Sequence, residues 1–137
     1  MMQRDDKVYL LYRAEDKTGK YAGVSLLGLA VSDNGLHFSK MEEPVFFPDN
    51  DSLQVYKWQG GVEDPRLVET EDGTYIMTYT AYDGKIARLL LATSQDMIHW
   101  TKQGAVLNGK YKDAWSKIRR HRCQTGRFEN YCAENKW

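Results

Sequence analysis

Asp72-Gly73-Thr74-Tyr75-Ile76-Met77-Thr78-Tyr79-Thr80-Ala81-Tyr82-Asp83 repeats the stretch from Asp5 to Asp16 at an offset of 67 residues. Asp5, Tyr12, Ala14 and Asp16 return as Asp72, Tyr79, Ala81 and Asp83. Further along, Leu29-Ala30-Val31-Ser32 and Leu36-His37-Phe38 return as Leu91-Ala92-Thr93-Ser94 and Ile98-His99-Trp100, now at an offset of 62. The offsets differ by five because the first copy has a longer loop between Asp16 and Leu29. Both copies are short runs of aromatic, β-branched and apolar residues broken by Gly, Asn and Asp. That is the composition of strands and turns rather than of helices. Residues 7–14 and Leu26–Val31 read as strands, residues 15–20 as a loop, and Asn34-Gly35 as a tight hairpin turn. A repeat of roughly 60 residues built this way predicts the blades of a β-propeller. A doubled β-sandwich is the second choice. The blade-like units span about residues 5–47 and 72–107. Two blades do not close a ring that uses roughly four to eight. The expectation is that further blades come from other copies, as a homo-oligomer, or from a longer protein.

Composition narrows the function classes. The 137 residues carry 19 basic and 19 acidic side chains, a formal net charge of zero. A balanced chain without a basic stripe argues against nucleic acid as a partner. No apolar run approaches the ~20 residues of a membrane helix, so no membrane partner is expected. The start, Met1-Met2-Gln3-Arg4-Asp5-Asp6, lacks the apolar centre of a signal peptide, which predicts a cytoplasmic location. His121, Cys123 and Cys132 match no common zinc spacing and lack a fourth ligand, so no metal is expected.

Between the two repeats stands Gln59-Gly60-Gly61-Val62-Glu63-Asp64-Pro65-Arg66-Leu67. Pro65 disfavours the helical region for Asp64 and predicts an extended residue there. Asp64 and Arg66, two apart on an extended chain, then point to one face. Read alone, the stretch is either a strand entry with a local ion pair or a rigidly held carboxylate beside a cation.

Taken together, G-V-E-D-P-R, then D-G-T-Y-I-M-T-Y-T-A-Y-D-G, then L-A-T-S-x-D-x-x-x-W and W-S-K resemble glycoside hydrolase family 130, over residues 5–117. The resemblance implies a five-bladed β-propeller that acts on terminal β-mannosides. Asp64, matching the Asp of E-D-P-R, is then the general acid of an inverting reaction. Inorganic phosphate serves as co-substrate in the phosphorylases, giving α-mannose 1-phosphate and a shortened sugar, and no cofactor is needed. An inverting reaction sets the acid and the nucleophile on opposite faces of the sugar, and phosphate removes the need for a second carboxylate as base. The acid must carry its proton when it acts. Glu63 beside it favours the protonated form, and Arg66 the ionised one.

Arg13, Glu63, Arg66 and Asp83 are the candidate substrate-binding residues. Arg13 matches a family arginine that contacts the mannosyl unit, and an ion pair with Glu15 is the structural alternative. Arg66 reads as an orienter of Asp64 or Glu63. Asp83 either binds a sugar hydroxyl or caps the turn before Gly84. Tyr79 and Tyr82 fit either a stacking surface or blade core. His37 and His99 recur at one blade position, which points to structure, and Trp100 recurs with Phe38 as core. The alternatives in function are a β-mannoside hydrolase of the same family and a catalytically silent propeller piece or sugar-binding module. An arabinan-type five-bladed hydrolase fits the motifs less well.

The two ends depart from the family. Relatives carry an F-N-P-A segment with a sugar-binding Asn about fifteen residues before the arginine that matches Arg13. Here only twelve residues precede Arg13. Relatives also continue W-S-K with S-G and a hydrophobic strand, whereas Trp115-Ser116-Lys117 is followed by Ile118-Arg119-Arg120-His121-Arg122-Cys123. Residues 1–117 are therefore assigned to the partial propeller and 118–137 to an atypical basic tail. A frameshift after Lys117 accounts for that tail, since ordinary codons read one base later permit S-G followed by two β-like runs. A natural docking tail is the other reading. With most phosphate-binding residues expected beyond Lys117, the chain by itself is expected to be inactive.

Overall fold

The computed structural model describes residues 1–15, 17, 23–48 and 61–116. The basic tail, both cysteines, His121, Asp16, Gln59 and Gly60 lie outside the described residues. The strands are β1 (Met2–Arg4), β2 (Lys7–Glu15), β3 (Ser25–Ser32), β4 (Ser39–Lys40), β5 (Gly61–Glu69), β6 (Tyr75–Tyr82), β7 (Ala87–Ser94) and β8 (Trp100–Ala105), and a short 3-10 helix covers Gly109–Tyr111. They form two antiparallel four-stranded units, β1–β4 and β5–β8, joined edge to edge by one parallel pair, Ser25 opposite Gly61. Among the described residues no helix is long and apolar enough to cross a membrane.

The sequence repeat is a structural repeat with the same register. In the first unit β2 pairs with β3 from Val8↔Ser32 to Glu15↔Ser25. In the second, β6 pairs with β7 from Tyr75↔Ser94 to Tyr82↔Ala87. Each pair is the other shifted by 67 and 62 residues. The five extra residues are confined to the connection between β2 and β3.

The turns that follow repeat atom for atom. Ser32 Oγ accepts the Gly35 N–H at 2.9 Å, and Asn34 Oδ1 accepts those of Leu36 at 2.9 Å and His37 at 3.0 Å. Ser94 Oγ accepts the Met97 N–H at 2.9 Å, and Asp96 Oδ1 accepts those of Ile98 at 2.8 Å and His99 at 2.7 Å. Gly35 (φ 72°) and Met97 (φ 63°) both stand in the left-handed region. The expected Asn34-Gly35 hairpin is therefore a longer loop held by side-chain caps. Ser and Asx oxygens satisfy backbone donors that a two-residue turn would have paired across the ladder. His99 Nδ1–H donates to Asp96 Oδ2 at 2.7 Å, a structural use consistent with its recurrence.

One face of β6 presents Tyr75, Met77, Tyr79 and Ala81, all fully buried, as period-two alternation dictates. Phe46, which bridges to Leu27 in the first unit, inserts against that face. Its ring meets Tyr79 edge-on at 4.8 Å between centroids and Trp100 at 6.3 Å. Lys102 lies over the same ring and donates to Phe47 O at 3.0 Å. Each such buried side chain contributes about 1.5–3 kcal/mol, so the first unit lends the second a substantial part of its core. The far end of the joint is closed by Arg4, which bonds Tyr75 Oη and lies 3.5 Å from Glu69.

Candidate active site

The register gathers one end of both units. Glu15 faces Ser25, Ser25 faces Gly61, Gly61 faces Tyr82, and Tyr82 faces Ala87. Arg13, Glu63, Asp64 and Asp83 therefore lie at or next to that common end. Gly61 makes the approach possible. At φ 79°, a Cβ built on it would lie 2.3 Å from Ser25 O and 2.5 Å from Ser25 N. Only glycine allows the two backbones to meet there.

Asp64 departs from the sequence expectation. It is not extended but left-handed, at φ 48°. β5 pairs with β6 through Glu63↔Thr80 and resumes at Arg66↔Thr78, so Asp64 and Pro65 form a bulge opposite one residue, Tyr79. Pro65 excludes the right-handed helical region for its predecessor but leaves the left-handed basin open, and Asp is among the few residues that enter it. Pro65 also has no N–H, so the interrupted ladder leaves no donor unpaired at that position. The local strain is on the order of 1–3 kcal/mol. It re-aims a half-buried carboxylate away from the alternation of the strand.

The bulge also overturns the shared face expected for Asp64 and Arg66. Arg66 is exposed, donates from Nη1 to Pro65 O at 3.1 Å, and meets no carboxylate among the described residues. The orienting cation is Arg13 instead. Its Nη2 lies 3.0 Å from Glu63 Oε1, across the joint between units, and its Nε donates to Ser25 Oγ at 2.9 Å. The expected alternative partner, Glu15, is not the one it meets. The joint brings Glu63 beside the guanidinium, whereas Glu15, although on the same face of β2, lies about 6–7 Å further along the strand.

Asp83 caps the turn after β6, the second of its two sequence readings. Oδ1 accepts the N–H groups of Lys85 and Ile86, both at 2.8 Å, and Oδ2 meets Arg88 Nη1. Burial would raise its pKa. The Ile86 N–H, the Arg88 hydrogen bond, the Lys85 N–H and the Arg88 charge outweigh this and hold it at about 2. Arg88, buried, also bonds Asp113 Oδ1 at 2.9 Å and Lys112 O at 3.2 Å. With Ser116, which pairs with Ala87 and Leu89, it fastens residues 112–116 to the start of β7. Tyr82 lies half-buried beside the exposed Trp115, 6.1 Å between ring centroids.

Sequence reasoning missed Ser25, Arg88 and Asp113. A signal for Arg88 was present: it puts a charge where the first unit has the apolar Leu26. Arg13 breaks the repeat in the same way, standing where the second unit has Thr80.

Comparison with known proteins gives a consistent answer. Residues 2–124 match the glycoside hydrolase family 130 profile, described as β-1,4-mannooligosaccharide phosphorylase. The chain is 40% identical over 114 residues to 1,2-β-oligomannan phosphorylase of Thermoanaerobacter sp. (strain X514), covering 77% of this chain and 36% of that protein. A glycosyl hydrolase structure from Bacteroides ovatus superposes with a TM-score of 0.77 at 41% identity, covering 84% of this chain and 34% of the other. A solved structure from the family of mannoside phosphorylases that contains glycoside hydrolases targeting β-1,2 mannosidic linkages in Candida mannan gives 0.76 at 43% identity, covering 84% and 34%. The chain thus spans about a third of the length of the relatives it matches. It belongs to glycoside hydrolase family 130, and its two units are blades of that family's five-bladed β-propeller.

Proposed function

We propose that this chain supplies the acid-bearing blades of an enzyme that cleaves terminal β-mannosides by inverting phosphorolysis. A phosphate oxygen attacks the anomeric carbon. The glycosidic C–O bond breaks, and the proton of Asp64 reaches the leaving oxygen directly or through a sugar hydroxyl. The products are α-mannose 1-phosphate and the shortened sugar. Phosphate is the co-substrate, and no organic cofactor enters. The observation that carries the reading is the bulge. It fixes Asp64 in a left-handed conformation beside the Arg13–Glu63 pair, at the end where both blades converge. A carboxyl held off its strand in this way is preorganised for a transferring proton.

Phosphorolysis is favoured over hydrolysis by the phosphorylase relative, although the family's hydrolases are equally similar to this chain. The test is a chimera in which residues 1–116 replace the matching third of the Thermoanaerobacter 1,2-β-oligomannan phosphorylase. Incubation with β-1,2-mannobiose and phosphate should release mannose 1-phosphate, and Asp64→Asn should lower kcat by about 10²–10⁴. Equal release of free mannose without phosphate would assign the hydrolytic branch. Full activity of the Asp64→Asn chimera would remove the acid.

A further inference from the structure

Glu63 sits next to the proposed acid and at the same end of the blades, the position of a sugar ligand. Its geometry says otherwise. Oε1 is taken by Arg13 Nη2 at 3.0 Å, and its side chain is 21% exposed against 48% for Arg13. The same guanidinium is held from the other side by Ser25 Oγ on Nε, at 2.9 Å. Two points of attachment fix a planar fork in position and orientation, where one would leave it free to swing. Arg13 Nη1 has no acceptor among the described residues, so a donor edge of a locked, half-exposed guanidinium is left over. The two anchors come from different blades: Ser25 from Arg13's own, Glu63 from the blade that carries Asp64. Ser25 is itself half of the one backbone pair between the blades, and Glu63 stands two residues from the other half, Gly61.

We infer that Glu63 is a positioning residue for Arg13 and makes no sugar contact of its own: with Ser25 it holds the guanidinium rigidly across the blade joint, leaving the Nη1 edge as the group that takes sugar hydroxyls beside Asp64. The inference rests on the proposed β-mannoside function. Its consequence is specific. Everything Glu63 contributes to ligand affinity passes through Arg13, so the two residues are strongly non-additive.

A double-mutant cycle in the same chimera, residues 1–116 joined to the rest of the Thermoanaerobacter phosphorylase, decides this, with β-1,2-mannobiose as the probe and binding followed by NMR titration. Glu63→Ala should weaken binding roughly ten-fold in the wild-type background and less than about two-fold in an Arg13→Ala background. Ser25→Ala should weaken it less than Glu63→Ala does. Equal losses from Glu63→Ala in both backgrounds would overturn the inference, because Glu63 would then touch the sugar itself. A readout independent of ligand is the Arg13 Nε–H resonance in ¹⁵N-arginine-labelled protein. It should be resolved and slow to exchange in the wild type, and merge with the exposed arginines in Glu63→Gln. An unchanged Arg13 signal in that variant would also overturn the inference. Absence of binding by the unsubstituted chimera would sink the β-mannoside reading instead, and the Arg13 signal would then judge the positioning role by itself.

Discussion

The two blades share register and turn chemistry, yet β6 is buried along most of its length where the matching β2 is mostly exposed or half-buried, and one blade carries the candidate acid while the other carries the cation that pairs with its neighbour Glu63. β6 and β7 of the second blade reproduce β2 and β3 of the first pair for pair. The differences fall at particular places. The first blade puts Arg13 where the second has Thr80, and the second puts Arg88 where the first has Leu26. β5 runs nine residues and contains a bulge, whereas β1 runs three. Symmetry is kept where the sheet needs it and broken where charge is placed. In this chain a departure from the repeat is therefore a better pointer to a functional or fastening residue than the repeat itself.

The largest effect is expected at the joint. Gly61→Ala forces a Cβ into the Ser25 backbone at a left-handed φ and should cost about 3 kcal/mol or more by urea unfolding. Gly73→Ala, at nearly the same φ but with nothing within 4 Å, should cost only about 1 kcal/mol. Similar losses at the two sites would show that the joint is slack and that the blades touch without being fitted.

Next comes restoring the repeat at Arg88. Arg88→Leu copies Leu26 of the first blade but strands the buried end of Asp83, at a cost of about 2–3 kcal/mol. Adding Asp83→Asn should recover part of that loss. A neutral Arg88→Leu would mean that the clamp on residues 112–116 contributes nothing. Met97→Gly copies Gly35 and relieves a left-handed side chain, worth about 1 kcal/mol. It also deletes a buried methionine, worth about 2–5 kcal/mol. A net loss of roughly 2 kcal/mol in the thermal midpoint analysis is the expected balance, and a gain would show that strain dominates this turn.

The smallest and most diagnostic contrast is between Asn34 and Asp96, which make the same backbone bonds. Burial would raise the Asp96 pKa. The His99 side chain, the His99 and Ile98 N–H groups and Ser94 hold it well below the usual carboxylate range. Because the folded pKa is depressed, its contribution is present above about pH 4 and is lost as the pH falls through the folded value. Asp83, at about 2, follows the same sign and fades between about pH 4 and 2. Hydrogen exchange should therefore show the Ile98 and His99 amides losing protection in acid while Leu36 and His37 keep theirs. Asp96→Asn should abolish that difference at a cost of about 0.5 kcal/mol or less at neutral pH. An acid-labile first turn would contradict the equivalence.

Strands, their repeat and the family were legible because period-two alternation and turn residues are local signals. Residues 7–14 and Leu26–Val31 fall within β2 and β3 to within one residue at each end. The site was legible in its residue types but not in its pairings. Arg13 and Glu63 lie 50 positions apart and meet only because two blades pack edge to edge. The left-handed Asp64 depended on a bulge, and the residue count opposite Tyr79 is a property of the partner strand as much as of β5. Asp83 was ambiguous because the residue that decides between ligand and cap, Arg88, is identified by tertiary position.

The five residues by which the first repeat exceeds the second lie between β2 and β3, at the end shared with Asp64, and they leave the register untouched. Length variation is thus absorbed at the end where chemistry is proposed, while the strands stay in phase. A lineage built on these blades could lengthen or exchange its connections without renegotiating the fold that holds the candidate acid.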